Sequence, residues 1–234
     1  MRIVVNHLTR MTAPRICVAG IETESFQHVR PTTPAYDLIT RRLLRREGGV
    51  FRVGTVVDLG PVTPEPARPE SEDHRFQTHC ARYVEDLADP EFLALLDEVA
   101  AASLEDGFGP ELERVGWKYA VEAGRGERSL AVVKARRRPV LEIDDKYGRL
   151  QLQFNDPDRR TYLPVTDVRF FETDHVTIRR NVVADVAGRL RSGVEAFLML
   201  GLARAYQGPK DDRARHWLQL NGLVLEDHPV GDAP

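Results

Sequence analysis

The sequence predicts a mainly β (α+β) fold: two small β-barrels in tandem with an intervening helical segment. Three observations predict it. Arg15–Pro31, RICVAGIETESFQHVRP, reads as two strands joined by a polar turn and stopped by a proline, the central hairpin of a first barrel. After residue 72 the apolar spacing turns helical. From Gly116 short strand patterns return and run almost to the C-terminus. On this reading the 234 residues divide into a first barrel at 1–72, a helical insert at 73–112, a second barrel at 113–228 and a disordered tail at 229–234. Each barrel is long enough to bury a core.

Element by element, Ile3–Leu8 is a strand and Arg15–Glu22 the next. Its centre, Ile16-Cys17-Val18-Ala19, is continuously apolar, as a strand covered on both faces would be. Gly20 suggests a bulge or a barrel corner. Phe26–Arg30 alternates and ends at Pro31. Thr33-Pro34 reads as a cap and first helical residue, so a helix is expected from Pro34 to Glu47, closed by Gly48-Gly49. Val50–Leu59 is a strand, and Gly60–Ser71, with its prolines, an exposed loop. Asp73 would cap a helix carrying Phe76, Cys80, Tyr83, Val84 and Leu87. Asp89-Pro90-Glu91 starts another, with Phe92, Leu95, Leu96 and Val99 buried; the block ends near Gly107–Pro110.

In the second half, strands are expected at Trp117–Val121, Ser129–Arg136, Pro139–Ile143, Leu150–Phe154 and Thr161–Phe171. Leu150, Leu152 and Phe154 alternate with Gln151 and Gln153, the pattern of a half-exposed strand. Asn155–Asp158 is a turn signal. Asn181 would cap a helix to Arg191, Val194–Ala203 is an apolar strand, and His216–Leu225 closes the fold before a tail that is polar from Glu226. No fixed-period repeat is visible.

Composition narrows the function classes. The net charge of −3 provides no overall field to recruit nucleic acid or an anionic membrane. The basic side is nearly all arginine, with lysine only at 118, 134, 146 and 210; arginine suits phosphates and planar bases. Cys17 and Cys80 read as two buried free thiols of a cytoplasmic protein. MRIVVNHLTR is too short and polar for a signal peptide, and no run of about 18 apolar residues marks a membrane span. His74, His79 and Cys80 lack the spacing of a zinc site. No nucleophile elbow or phosphate loop is present, so no catalytic residue, metal or cofactor is expected.

RICVAGIE followed by QHVRP resembles the dual-OB-domain family of prokaryotic proteins. Later runs do too: Val165–Phe170, Leu200-Gly201-Leu202-Ala203-Arg204 and His216–Gly222 stand in the family's order. The match covers residues 3 to about 225, with Ala203 where a threonine or serine would be expected. The resemblance implies two OB-like barrels, and an association with prokaryotic defence systems in which nucleic-acid sensing has been inferred.

OB barrels hold single strands with basic grooves and stacking aromatics. Arg15, Arg30, Arg169 and Arg204 sit at strand ends, and Trp217 is a strand aromatic; these five are the candidate nucleic-acid contacts, with Phe26 and Tyr162 as further stacking candidates. The aromatics read more readily as core, while Arg30 and Arg204 read equally as ligand contacts or as solvated, paired or bracing residues between the barrels. Basic runs occur at Arg41-Arg42 with Arg45-Arg46, at Lys134 with Arg136–Arg138, and at Arg179-Arg180. The expected function is a non-enzymatic module for single-stranded nucleic acid, an accessory or sensor of a defence system. A second reading is a protein adaptor docking through residues 73–106. A third is a metal-dependent nuclease through Asp144, Asp145 and Lys146, although that stretch reads more readily as a hairpin turn.

Overall fold

The computed structural model describes residues 1–135, 139–156, 159–209 and 211–229. Seven strands make the first sheet: β1 (Arg2–Arg10), β2 (Ile16–Glu22), β3 (His28–Thr32), β4 (Thr55–Asp58), β5 (Thr63–Pro64), β6 (Asp73–Arg75) and β7 (Arg82–Asp86). Their order is β5-β6-β3-β2-β1-β4-β7, antiparallel except where β6 runs parallel to β3. The Arg15–Pro31 hairpin thus supplies two inner strands. The irregularity anticipated at Gly20 lies opposite it, on β1, where Val5 pairs with Gly20 and His7 with Ala19, leaving Asn6 as the extra residue of a bulge. Gly20 is needed for close approach: a Cβ there would lie 2.7 Å from the Val4 carbonyl oxygen.

Two expected helices are absent. Pro34–Glu47 holds only 3-10 turns at Arg41–Leu43 and Arg45–Glu47, separated by extended Leu44. Leu44 forms a bridge with Phe51, and the Val50 and Phe51 amides fold back onto the Leu43 carbonyl, so tertiary anchoring overrides the local signal. Residues 73–86, expected as helix, are β6, a 3-10 turn at Thr78–Cys80, and β7. Here pairing to β3 and β4 satisfies the backbone, and Phe76 and Ala81 enter the core.

The next helix is as expected. α1 (Asp89–Val99) buries Phe92 and Leu96, and Glu91 accepts the Ala88 amide at its start. Then come β8 (Ala100–Ala101) and α2 (Leu104–Phe108), capped by the Ser103 hydroxyl.

The second half contains β9 (Glu113–Val115), β10 (Lys118–Glu122), β11 (Leu130–Lys134), β12 (Val140–Ile143), β13 (Leu150–Asp156), β14 (Arg159–Pro164), α3 (Arg180–Ser192), β15 (Ala196–Leu202) and β16 (Arg215–Leu225). They form a six-stranded sheet, β8-β11-β15-β16-β10-β9, and a three-stranded one, β12-β13-β14. The strand expected over Thr161–Phe171 ends at Pro164; a 3-10 turn at Val168–Phe170 follows, capped by Asp167. Asn181 is inside α3, whose cap is Arg179. Pro157 and Asp158 of the expected turn, Arg136–Arg138 and residues 230–234 of the tail lie outside the described residues. Glu226 and Asp227 are held by Lys134 at 2.8 Å and Arg189 at 3.1 Å, so the tail is anchored there.

Two cores result, and β15 belongs to both. Leu198, Leu200 and Leu202 face the core shared with α3 and β13, while Phe197 and Met199 face the first sheet with Val132 and Val224. Coverage of both faces is why β15 is an unbroken apolar run. Gly20→Ala is expected to lower stability by about 1–3 kcal/mol through the clash with Val4, read as a lower urea midpoint at unchanged slope; an unchanged midpoint would show that β1 and β2 can separate without cost.

Candidate functional site

The candidate arginines divide between two roles. Arg30, in β3, is 6% exposed and its Nε donates to Asp73 Oδ1 at 2.5 Å. Arg204, just past β15, donates to Asp73 Oδ2 at 2.7 Å and meets Glu70 Oε1 at 3.0 Å. Two guanidinium groups from opposite halves therefore share one buried carboxylate. Glu72 completes the join, accepting from the Ser129 amide and hydroxyl and the Leu130 amide at 2.7–3.1 Å. Burial pushes its carboxyl up, with those donors opposing. Glu70, Glu72 and Asp73 are all buried, although the sequence places them at the end of an exposed loop and at a helix cap.

Arg30, Arg204 and Leu130 form part of the wall of a cavity of about 470 Å3 between the two sheets. Arg15 stands exposed at its edge, so Arg15, Arg30 and Arg204 do converge. His7, from β1 beside the bulge, and Cys17, from β2, line it as well. Burial pushes the Cys17 thiol up, away from the reactive thiolate. His7 and His28 lie 6.4 Å apart, and burial lowers both imidazoles, His28 to about 4. Both cysteines are free thiols, but each is half-buried and not fully buried as expected, and Cys80 sits in a 3-10 turn instead of on a helix face.

Arg169 and Trp217 are elsewhere. Arg169 clasps Asp167 at 2.6 Å and the Leu223 carbonyl at 2.7 Å, bracing the 3-10 turn against β16. Trp217 is half-buried on β16 with the Lys118 ammonium 5.8 Å from its ring centre. Phe26 lies in the β2–β3 turn, about half exposed. Several described members of the basic runs are already engaged: Arg41 is buried against Glu47, Arg45 lies over Tyr83, and Lys134 is ringed by Asp97, Glu195 and Glu226, which raise its ammonium above the usual range. Asp144 accepts the Lys146 and Tyr147 amides, a turn as expected. Among the described residues no cluster of three metal-ligating side chains occurs, and no helix is long and apolar enough to cross a membrane.

A second surface has the chemistry expected of a strand-binding face. Gly116, at φ +65, makes a two-residue turn between β9 and β10 and displays Trp117 at its tip, 64% exposed. Trp117 meets Tyr162 of β14 edge-on, ring centres 6.3 Å apart. Arg114 lies 5.6 Å from the Trp117 ring centre and Arg160 5.4 Å from that of Tyr162. Gln151 and Gln153 share the exposed face of β13, and Arg160 donates to Gln153. Arg114 and Arg160 have no carboxylate partner among the described residues. Trp117, Arg114 and Arg160 escaped the sequence reading. Val-Gly-Trp-Lys as a tight turn, and Arg160 two residues before Tyr162, were the available signals.

Asp73→Asn removes the charge that Arg30 and Arg204 share and is expected to cost about 3–5 kcal/mol, measured by urea unfolding; a loss below 1 kcal/mol would show that the pair is not a buried clamp. With His7 and His28 held neutral, the unfolded chain takes up protons below its histidine value of 6.5 while the folded chain does not. Stability should therefore fall as pH drops from about 6.5 toward 4, by about 1.4 kcal/mol per unit for each histidine, and a His7→Gln/His28→Gln variant should show a shallower fall.

No curated protein and no solved structure matches the chain. A family model does, that of the dual OB-containing domain, over residues 1–223. Since that match takes in 223 of the 234 residues, the chain belongs to the dual OB-containing domain family.

Proposed function

We propose that the chain is a non-enzymatic module of two OB-like barrels that binds single-stranded nucleic acid on the face formed by the β9–β10 turn and β13–β14. The observation that carries this is the exposed Trp117 ring set against Tyr162, with Arg114 and Arg160 alongside and neither paired to a carboxylate among the described residues. Stacking on such rings is worth about 1–3 kcal/mol per base and tolerates any sequence. The glutamines of β13 can hydrogen-bond base edges. The family membership supports the same class of ligand, and the resemblance adds a sensor or accessory role in a defence system. Trp217 and Lys118 extend the face along β10 and β16.

The test is fluorescence anisotropy with labelled single-stranded DNA and RNA at low salt. Binding should weaken with added salt. Trp117→Ala and Tyr162→Ala should each lose about 1–3 kcal/mol. Arg114→Glu or Arg160→Glu should lower the salt slope by about one phosphate equivalent. No salt-sensitive binding, or equal binding by the Trp117→Ala and wild-type chains, overturns the reading.

A further inference from the structure

We infer that the cavity between the two sheets is a binding site for a nucleoside monophosphate, either free or as the terminal nucleotide of a strand. The inference goes beyond the strand-binding face and stands without it, because none of the residues that carry it belongs to the Trp117–Tyr162 surface.

The cavity, about 470 Å3, has the size of a small-molecule site. Its outer wall is positive. Asp73 and Glu70 match Arg30 and Arg204, but Arg10 and Arg15 have no carboxylate partner among the described residues. Arg10 instead donates to the His175 carbonyl and lies over the Phe171 ring. Two uncompensated cations suit a phosphate monoester, which carries nearly two negative charges at neutral pH.

The depth of the cavity has a different character. His7 is 1% exposed, lines the cavity, and neither of its ring nitrogens has a partner. Nη2 of Arg30 is likewise buried and unpartnered. Buried polar atoms left unpaired are costly, and a ligand edge that pairs them recovers that cost. The neutral imidazole presents one donor and one acceptor, and the carboxamides of Gln219 and Asn221 on the same wall can present both. That mixture complements the hydrogen-bonding edge of a base. Leu38, Ile39 and Leu202 supply apolar walls for its faces. A positive edge, apolar sides and a mixed donor–acceptor floor fit a phosphate, a ring and a base edge in turn.

The experiment is titration calorimetry of the full chain with each of the four common ribonucleoside 5′-monophosphates, the parent nucleosides and inorganic phosphate. At least one monophosphate should bind, about tenfold or more tighter than its nucleoside or phosphate alone. Arg15→Glu, at an exposed position, should weaken it by a similar factor, and Leu38→Trp should obstruct it. Competition by a 5′-phosphorylated tetranucleotide assigns the site to a strand end; no competition assigns it to the free nucleotide. The inference is overturned if the folded wild type binds no monophosphate at millimolar concentration, or if both variants bind as the wild type does. Monophosphate binding that persists in Trp117→Ala separates this site from the strand-binding face, and loss of either one leaves the other standing.

Discussion

Asp73 is the interaction on which the arrangement depends. Its two carboxylate oxygens are divided between Arg30 of the first sheet and Arg204 of the second half. Arg30 depends on it most, because a buried charge without its partner is far costlier than a paired one is beneficial, whereas Arg204 is largely exposed and also meets Glu70. Glu70 and Glu72 flank it and reach Arg204, Ser129 and Leu130, so four residues of chain tie β3 to β11 and β15. This tie also shapes the cavity, since Arg30 and Arg204 form part of its wall.

Packing supplies the complementary constraint. β15 is buried on both faces, so any movement of the first sheet relative to the second half would expose Phe197 and Met199 or open the clasp at Asp73. Gly201 of the same strand leaves room for Asn221: a Cβ there would lie 2.0 Å from the amide nitrogen. Asn221 in turn accepts from Thr166 and lines the cavity. One apolar strand therefore separates two cores, fixes a polar side chain and forms one side of the cavity. The exposed face at Trp117 stands apart from this junction, on the β9–β10 turn and the three-stranded sheet.

The parts legible in sequence are those where local pattern and tertiary environment agree. β2 and β15 are apolar runs and both are sheet interior; β13 alternates and shows its glutamines to solvent. α1 carries its own proline and capping glutamate. The misreadings occur where long-range pairing decides. Phe76, Tyr83 and Leu87 have helical spacing, yet residues 73–86 are drawn into strands by open edges on β3 and β4. Glu70 and Asp73 look solvated because nothing local announces Arg30 or Arg204, 43 and 131 residues from Asp73, as partners. For the same reason the arginines at strand ends were recognisable as candidates, but the sharing of one carboxylate was not. Arg169 sits inside a family-like run and braces it.

Net charge is a poor guide to this molecule for a reason visible in its ion pairs. Several of the basic groups are spent on carboxylates: Lys134 on three acids, Arg41 on Glu47, Arg179 on Glu172 and, outside the basic runs, Arg169 on Asp167. Such pairs cancel at distances beyond the Debye length of about 8 Å, which leaves little field for long-range capture. Other cations are placed for local contacts: Arg114 and Arg160 beside aromatic rings, and Arg10 and Arg15 at the cavity. On the proposed reading an anionic ligand would be held by short-range geometry, through a ring to stack on or a cavity to enter, and discrimination between ligands would fall to the rings and to His7, Gln219 and Asn221, because phosphate contacts alone carry no sequence information.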